Sequence, residues 1–441
     1  MHDWAKQSSK MSEIYSRAWV TIAADSASSS NMGFLDRQPN VCSSSDTGND
    51  AMKDKFRVPR FDCSDQDQSF HLGSSDLDFS RSSPPDHPQD SIVFYRQHRK
   101  LSTKDGFRHH YEYFKDAPAS HLSNRGWTFQ ETLLSPRILH FMPEEMTWQC
   151  ATLCRCECQI QSYYNCYTGS NEDDTVRPQD LEKDWDKIVS EYTGLELTFD
   201  TDRLAALAGL ASRAHRFRRD QRYLAGLWEN SFLESLLWSA DTRSEAYAKT
   251  KRIRPAIAPS WSWASVTGKI AFDLKKAWGS HPCGLQDIQI QYPVSQVNTY
   301  GSVTGGCLTV TVQFFSIRLT DLRYTFSEYH LANLQILDGS GRGMPALQES
   351  AALIADSNED LSLIERGEQL AMVNLSELSL FLLLRKVTTF DSRFYRVGLL
   401  VLNPTAAISL VLPSAMTAPW LSSVLSVSAQ ALAATRKITI L

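Results

Sequence analysis

Apolar residues at the start of the chain repeat at a helical spacing and then give way to an unbroken apolar run. Trp4, Met11 and Tyr15 fall on one face of a helix with 3.6 residues per turn, which predicts a helix over residues 3–17. Residues 18–24 are apolar and rich in β-formers, which predicts a buried strand of a parallel sheet. A helix followed by such a strand indicates part of an α/β layer.

Amphipathic periodicity reappears in the middle of the chain. Trp185, Ile188 and Tyr192 are spaced by three and four residues, as on the apolar face of a surface helix. The same reasoning predicts three helices in this section: 181–192, 201–217 and 224–238. We expect them to pack together as a small helical layer.

The last part of the chain alternates apolar and polar positions with period two. Leu308, Val310 and Val312 show this alternation within a hairpin or strand predicted over residues 301–316. Further strands are predicted at 378–387, 395–402, 408–412 and 437–441. The predicted fold class is therefore α+β, with a partial α/β layer, a small helical layer and a C-terminal, mainly antiparallel β section.

Composition and periodicity divide the chain into three sections. They are residues 1–170, the helical section 171–258 and the β-rich section 259–441. Ser, Asp, Pro and Gly dominate residues 26–90, and so little apolar surface cannot offset the entropy lost on ordering. This stretch is therefore predicted to be a partly disordered insertion in the first section.

The stretch from Leu122 to Phe141 concentrates more local signals than any other. Thr128 and Glu131 have the spacing of a capping box, which predicts a helix that begins near Thr128. Pro136 cannot continue a helix and disfavours helical angles at the preceding residue, so the helix should be about two turns long. A short buried strand is predicted to follow it.

Charged and aromatic residues share this short helix. Arg125 and Glu131 lie close in sequence to Trp127, which favours an ion pair with the indole stacked over it. Such a pair would hold the helix to a sheet. A role in architecture is therefore predicted for Arg125 and Glu131 ahead of direct chemistry.

Overall composition is that of a globular protein and narrows the classes of partner. Apolar residues make up 42% of the chain, charged residues 22%, and the formal net charge is −5. Without a global basic excess, composition favours no nucleic-acid partner. No apolar stretch is long and unbroken enough to predict a membrane span, and no secretion signal is visible, so a cytoplasmic location is expected. No phosphate-binding loop is present, and no cofactor is predicted.

The nine cysteines include one dense cluster. Cys150, Cys154, Cys156 and Cys158 follow one another at spacings of four, two and two residues. Zinc ligands usually come as paired knuckles separated by a longer loop, which this spacing fits poorly. The favoured interpretation is reduced thiols in a hairpin without metal, with these four residues as the alternative zinc ligands.

The stretch around Trp127 resembles a signature block of the fungal heterokaryon incompatibility (HET) domain. The resemblance rests on Arg125-Gly126-Trp127-Thr128-Phe129-Gln130-Glu131 and on Leu134-Ser135-Pro136-Arg137. It implies signature roles for Arg125, Gly126, Trp127, Gln130, Glu131 and Pro136. Flanking segments are also similar to the family: Thr21-Ile22-Ala23-Ala24, Trp148-Gln149-Cys150, the run Asp202 to Gly209, and Pro259 to Ala264.

Two earlier signature blocks of this family have no counterpart here. The resemblance therefore implies a HET domain without its N-terminal half, and an inactive copy is one outcome that this allows. It implies a module for non-self recognition and programmed cell death with a protein partner. The partner itself is not named by any motif.

An enzymatic alternative also comes from the resemblance. HET domains have been compared with TIR-type α/β domains, some of which cleave NAD with a glutamate. Glu131 would then be the catalytic carboxylate and Arg125 would bind a phosphate of the nucleotide. Because likeness of fold is a weak guide to function, we rank this alternative below the signalling module.

Overall fold

The computed structural model of the chain describes a five-stranded sheet, an eight-stranded sheet and the helices between them. The described residues are 10–35, 121–142, 146–150, 184–243, 245–277, 286–293, 299–303, 305–324, 329–337, 341–343, 349–376, 380–387, 392–402 and 434–441, with short strands at 55–57, 93–95, 154–156 and 161–162. The predicted strand at 408–412 and much of the predicted insertion lie outside these residues.

Short α-helices connect and cover the sheets. Their bounds are α1 Met11–Arg17, α2 Gly126–Leu134, α3 Trp185–Thr193, α4 Ala208–His215, α5 Phe232–Ser235 and α6 Asn358–Glu365. Helix α3 confirms the prediction for residues 181–192 from Trp185 onwards, and the Asp184 side chain caps it by accepting a 3.0 Å hydrogen bond from Lys187 N–H. No helix in the described ranges is long and apolar enough to cross a bilayer.

The N-terminal sheet is mixed and has five strands in the order β1-β4-β5-β6-β7. Its strands are β1 Thr21–Ala23, β4 Arg137–Phe141, β5 Met146–Cys150, β6 Cys154–Cys156 and β7 Gln161–Ser162. Two further strands, β2 Lys55–Arg57 and β3 Val93–Tyr95, form an antiparallel pair of their own. Strand β1 is parallel to β4, with Ile22 beside Leu139, as the sequence pattern predicted.

The predicted burial of strand β1 is wrong. Among the described strands β1 pairs only with β4, so it forms one edge of the sheet. Ile22 is 59% exposed and Trp19, just before the strand, is 88% exposed. An unbroken apolar run thus identified a strand correctly but did not establish what covers it.

The helix predicted over residues 224–238 is also wrong. The chain instead forms a tight hairpin of β8 Tyr223–Leu224 and β9 Leu227–Trp228, followed by the one-turn helix α5. Ala225 and Gly226 connect the strands with positive φ angles of 45° and 99°. Gly226 readily adopts such angles, which are incompatible with a right-handed helix, so apolar spacing was misleading here.

The helix predicted over residues 201–217 forms only in its second half. Two short 3-10 turns, Asp200–Asp202 and Ala205–Leu207, precede α4. Asp200 lies in the first of these turns, and its carboxylate pairs with Lys251 at 3.1 Å. The small helical layer is therefore made of shorter pieces than the sequence indicated.

The C-terminal section is a large sheet whose six central strands close on themselves. The small strands β10 Ser239–Ala240 and β11 Ile270–Ala271 precede it and pair separately. The strands of the large sheet are β12 Gln286–Gln291, β13 Cys307–Tyr324, β14 His330–Ile336, β15 Glu349–Ala355, β16 Leu370–Ser376, β17 Leu380–Lys386, β18 Arg393–Leu402 and β19 Ala434–Ile440. The six central strands follow the order β13-β14-β15-β18-β17-β16, and β16 pairs again with β13. The chain is thus an α+β protein with a β-rich C-terminal part, as predicted.

Alternating side chains of the closed sheet enter two separate apolar clusters. Phe381 and Leu383 of β17 pack with the cluster inside the closed sheet, whereas Leu380, Leu382 and Leu384 pack on the outside. The outer cluster continues through the helices and into α2. Both faces of the strand are therefore buried, which explains its continuous apolar sequence.

One buried arginine ties the helical section to the closed sheet. The Arg396 side chain is fully buried, and its guanidinium pairs with Asp356, with Nη2 3.0 Å from Oδ1. It also donates to the backbone carbonyls of Leu236 (2.6 Å) and Trp238 (2.5 Å), and lies 3.6 Å from the centroid of the Trp238 ring. Burial lowers the pKa of Arg396, and the Asp356 charge opposes that shift.

Replacing this arginine should destabilise the whole chain. In Arg396→Leu, two buried carbonyls lose their donor and Asp356 keeps only Arg252, whose Nη2 is 3.1 Å away. Removing one partner of a buried ion pair usually costs about 3–5 kcal/mol, and Arg252 should hold the loss near 3 kcal/mol. Urea unfolding followed by tryptophan fluorescence would measure it.

Arg366→Leu is the matched control, because Arg366 is exposed at the end of α6 and should change stability by less than about 0.5 kcal/mol. Equal unfolding free energies for the two variants would contradict a linking role for Arg396.

Candidate functional site

The helix that carries the signature residues begins earlier than the capping-box spacing predicted. Helix α2 starts at Gly126, and Arg125 precedes it in an extended conformation without a side-chain cap. Thr128 lies inside the first turn, where its hydroxyl contacts the carbonyls of Leu122 and Arg125 (2.7 Å to the latter). The helix ends at Leu134 with Ser135 extended, as expected before Pro136.

Gly126 allows a close approach between this helix and the segment after α3. Its N–H donates a 2.7 Å hydrogen bond to the Glu196 carbonyl, and Glu196 N–H donates to Asn124 O at 2.7 Å. A Cβ at position 126 would lie 2.8 Å from Leu197 Cδ2. A side chain at this position would therefore require the Leu197 side chain to move.

Trp127 is anchored to a carboxylate that the sequence did not single out. Its indole Nε1 donates a 3.1 Å hydrogen bond to Asp202 Oδ2, and the half-buried ring packs against the main apolar cluster. The two residues are 75 positions apart in the chain. Asp202 belongs to a run that resembles the HET family, but no spacing rule connects it with Trp127.

Gln130 is the centre of the site. Its side chain is completely buried, and its Oε1 accepts a 3.0 Å hydrogen bond from Gly209 N–H in α4. Its Nε2 lies 3.5 Å from Met11 Sδ in α1. One amide therefore contacts α1 and α4, two of the helices that pack on α2.

Gly209 is required for this contact. A Cβ at Gly209 would lie 2.5 Å from Gln130 Oε1 and 3.4 Å from Ser12 Cβ. A side chain at this position would displace the Gln130 amide from the Gly209 N–H. We call Met11, Gln130 and Gly209, with the three helices they join, the signature clamp.

Glu131 is bound by Tyr15 in place of the predicted ion pair with Arg125. The Tyr15 hydroxyl hydrogen-bonds the Glu131 carboxylate, and no Arg125–Glu131 ion pair occurs among the described residues. Burial raises the pKa of Glu131, while the Tyr15 hydrogen bond and the Arg125 charge lower it in part. Burial also raises the pKa of Tyr15. The carboxyl is thus held in an apolar setting against helix α1.

A second polar group lies at the carboxyl ends of the two parallel strands. His140 on β4 places Nδ1 2.9 Å from Asp25 Oδ2 and Nε2 3.0 Å from Gln149 Oε1. Asp25 follows β1 and is 5% exposed. His140 is therefore a partly buried residue that connects three segments of the sheet, and Asp25 is a partner that sequence reasoning missed.

The cysteine cluster falls partly outside the described residues. Cys150 is half-buried at the end of β5, and Cys154 and Cys156 lie at the two ends of β6. Cys158 lies outside the described residues. Within the described ranges, no three potential metal ligands come together.

The burial of Glu131 leads to a prediction about pH. Because the pKa of Glu131 in the folded chain is raised above its ordinary value of 4.5, the associated stability is present below that pH and is lost as the pH rises through the folded pKa. Glu131→Gln keeps an acceptor for Tyr15 but cannot ionise. The melting temperature of Glu131→Gln should therefore increase relative to that of the wild type as the pH rises above 4.5.

The measurement is a pair of thermal melts at each pH, so that titration of all other groups cancels in the difference. Tyr15→Phe is a useful companion, because it removes the hydroxyl and should lower stability at every pH. A difference between wild type and Glu131→Gln that is constant with pH would contradict the burial of an ionisable carboxyl.

Comparison with known proteins gives one result at the level of family. Residues 1–131 match the family model for heterokaryon incompatibility protein (HET), and this span ends on Glu131 at the signature helix. No curated protein and no solved structure matches the chain. The family match includes Met11, Tyr15 and the signature positions Arg125 to Glu131. Residues 1–131 are therefore similar to the heterokaryon incompatibility (HET) family.

Proposed function

We propose that this chain is an interaction module of HET-type non-self recognition that promotes cell death through a protein partner in the cytoplasm. The family match supports a heterokaryon incompatibility-type function in general terms. In this proposal the signature residues maintain the architecture that presents a recognition surface. They do not themselves perform a reaction.

The fully buried amide of Gln130 carries the proposal. Its oxygen accepts a hydrogen bond from the Gly209 N–H and its nitrogen contacts Met11, so both polar atoms of the side chain have partners inside the fold. Trp127 is likewise engaged with Asp202, and Glu131 with Tyr15. These internal contacts favour a structural role for the signature residues, because a catalytic group has to be able to reach a substrate.

The proposal predicts opposite outcomes for two adjacent substitutions. Gln130→Ala leaves the buried Gly209 N–H without an acceptor, which should cost about 2 kcal/mol of stability. Glu131→Gln preserves the Tyr15 contact and should fold normally. When the full chain is overexpressed in a filamentous fungal host, Gln130→Ala should lose toxicity and Glu131→Gln should keep it.

Colony growth, with protein level and melting temperature for each variant, is the measurement. Arg366→Leu is the matched control and should be as toxic as the wild type, since Arg366 is exposed and remote in sequence from the clamp. A well-folded wild-type product without toxicity would refute the cell-death role. Loss of toxicity in Glu131→Gln at unchanged melting temperature would refute the structural role of Glu131.

Cleavage of NAD is a second candidate function because one observation favours it. Burial raises the pKa of the Glu131 carboxyl, and perturbed carboxyl groups of this kind are frequent in active sites. Arg125 lies near enough to act on the Glu131 charge and could bind a phosphate of the nucleotide. The glutamate would then polarise a ribose hydroxyl.

Purified chain incubated with NAD decides between the two functions. The enzymatic alternative predicts release of nicotinamide, detected by chromatography, and at least about a hundredfold slower release by Glu131→Gln, as is usual when an acid–base group is removed. Tyr15→Phe serves as a control for changes at the same site that leave the carboxyl in place. No nicotinamide above a blank without protein would eliminate this candidate.

A further inference from the structure

A compact arginine-rich turn follows the helix that the signature clamp holds. Helix α4 ends at His215, and the chain then turns through backbone hydrogen bonds from Phe217 N–H to Ala214 O (3.1 Å) and from Arg218 N–H to His215 O (3.0 Å). We define the arginine turn as Arg213, Arg216, Phe217, Arg218 and Arg219. Phe217 is 53% exposed among these cations.

Three cations of the arginine turn have no carboxylate partner among the residues that the structure describes. Within the described ranges, Arg213, Arg216 and Arg219 form no ion pair, whereas nearby Arg222 is paired with Glu229 at 2.6 Å. Attraction to the helix macrodipole explains a cation in the last turn of α4. It does not explain Arg216 to Arg219, which lie beyond the end of that helix.

A packed aromatic layer holds the arginine turn in place. The Arg218 guanidinium lies 5.3 Å from the centroid of the Trp228 ring, and His215 Nδ1 is 2.7 Å from the Tyr300 hydroxyl. Trp228 is itself packed against Tyr223, with ring centroids 5.1 Å apart. Exposed arginines on a rigid base lose less conformational entropy on binding than arginines on a mobile loop.

Helix α4 connects the arginine turn with the signature clamp. Gly209, in the first turn of α4, is bonded to Gln130, and Arg213 and His215 lie in the last turn of the same helix. The clamp thus fixes the start of α4, and the aromatic layer fixes its end. This arrangement gives a structural reason for signature residues that face inward in a recognition protein.

We propose that the arginine turn is a docking surface for an acidic segment of a partner protein. The proposal rests on the proposed function and names its partner class. Guanidinium groups bind carboxylates through paired hydrogen bonds, and Arg with an exposed aromatic ring is the composition of strong protein contacts.

The overall charge favours a short acidic segment over an extended polyanion. The chain carries a formal net charge of −5, which opposes association with DNA or an anionic membrane at long range. A short acidic peptide matches the size of a surface formed by Arg213, Arg216 and Arg219, which lie within seven residues of the chain.

Fluorescence anisotropy of the full chain with a labelled twelve-residue peptide of Asp, Glu and Gly tests the proposal. The wild type should bind the peptide more weakly as salt increases. The double variant Arg216→Glu/Arg219→Glu should raise Kd at least tenfold. The neutral variant Arg216→Gln/Arg219→Gln should raise Kd by a smaller factor, and circular dichroism should confirm that both remain folded.

The matched control is Arg323→Glu/Arg366→Glu, which reverses two exposed arginines elsewhere and should leave Kd within twofold. Equal losses in the control and the arginine-turn variants would overturn the assignment of this surface. Stronger binding to a single-stranded DNA dodecamer, or to vesicles of anionic phospholipid, would also overturn it. If the peptide does not bind while the wild type remains toxic in the fungal host, this surface is wrong and the proposed function survives.

Discussion

The buried amide of Gln130 is the contact on which the arrangement of the signature region depends. A buried primary amide must satisfy both its oxygen and its nitrogen, and this one does so with groups from two other helices. It cannot move without leaving the Gly209 N–H unpaired in an apolar interior. A single side chain thereby fixes the positions of α1, α2 and α4 relative to one another.

Two glycine residues also make this arrangement possible. At Gly209 and Gly126 the neighbouring chain comes so close that a Cβ would overlap its atoms. Close packing of backbones brings polar main-chain groups within reach of Gln130 and Glu196. The signature of this region is therefore best understood as a set of residues that let three chain segments approach closely and then bond them.

The closed sheet is held to the helical section by a different kind of contact. There the charges of Arg396 and Asp356 are buried together and completed by backbone carbonyls. An ion pair of this sort is weak evidence for high stability, but it specifies one orientation of the two parts. The helices and the sheet share one apolar cluster, so the helices of the signature clamp pack on the same core as the β-rich section.

Local sequence signals predicted much of the secondary structure and little of the site. The spacing of Trp185, Ile188 and Tyr192 sufficed for α3, because an amphipathic helix is determined largely by local sequence. The same spacing failed at residues 224–238, where two residues with positive φ form a hairpin. Strand β15 and helix α6 were missed, because residues 338–369 show no clear period.

Partners in the site lie too far apart in the chain for any spacing rule. Gln130 and Gly209 are separated by 79 positions, Trp127 and Asp202 by 75, and His140 and Asp25 by 115. Resemblance to the HET family identified Gln130, Trp127 and Glu131 as important. Only the fold shows what each of them contacts, and it replaces the expected Arg125–Glu131 pair with a Tyr15–Glu131 hydrogen bond.

Hydrogen–deuterium exchange of the full chain and of Gln130→Ala tests most directly whether one amide unites these helices. If it does, the backbone amides of Met11–Arg17 and Ala208–His215 should lose protection together in the variant, although neither segment is mutated. The amides of β16 and β17 in the closed sheet should exchange as in the wild type. Unchanged protection of both helices, with faster exchange confined to residues around position 130, would contradict the central role of Gln130.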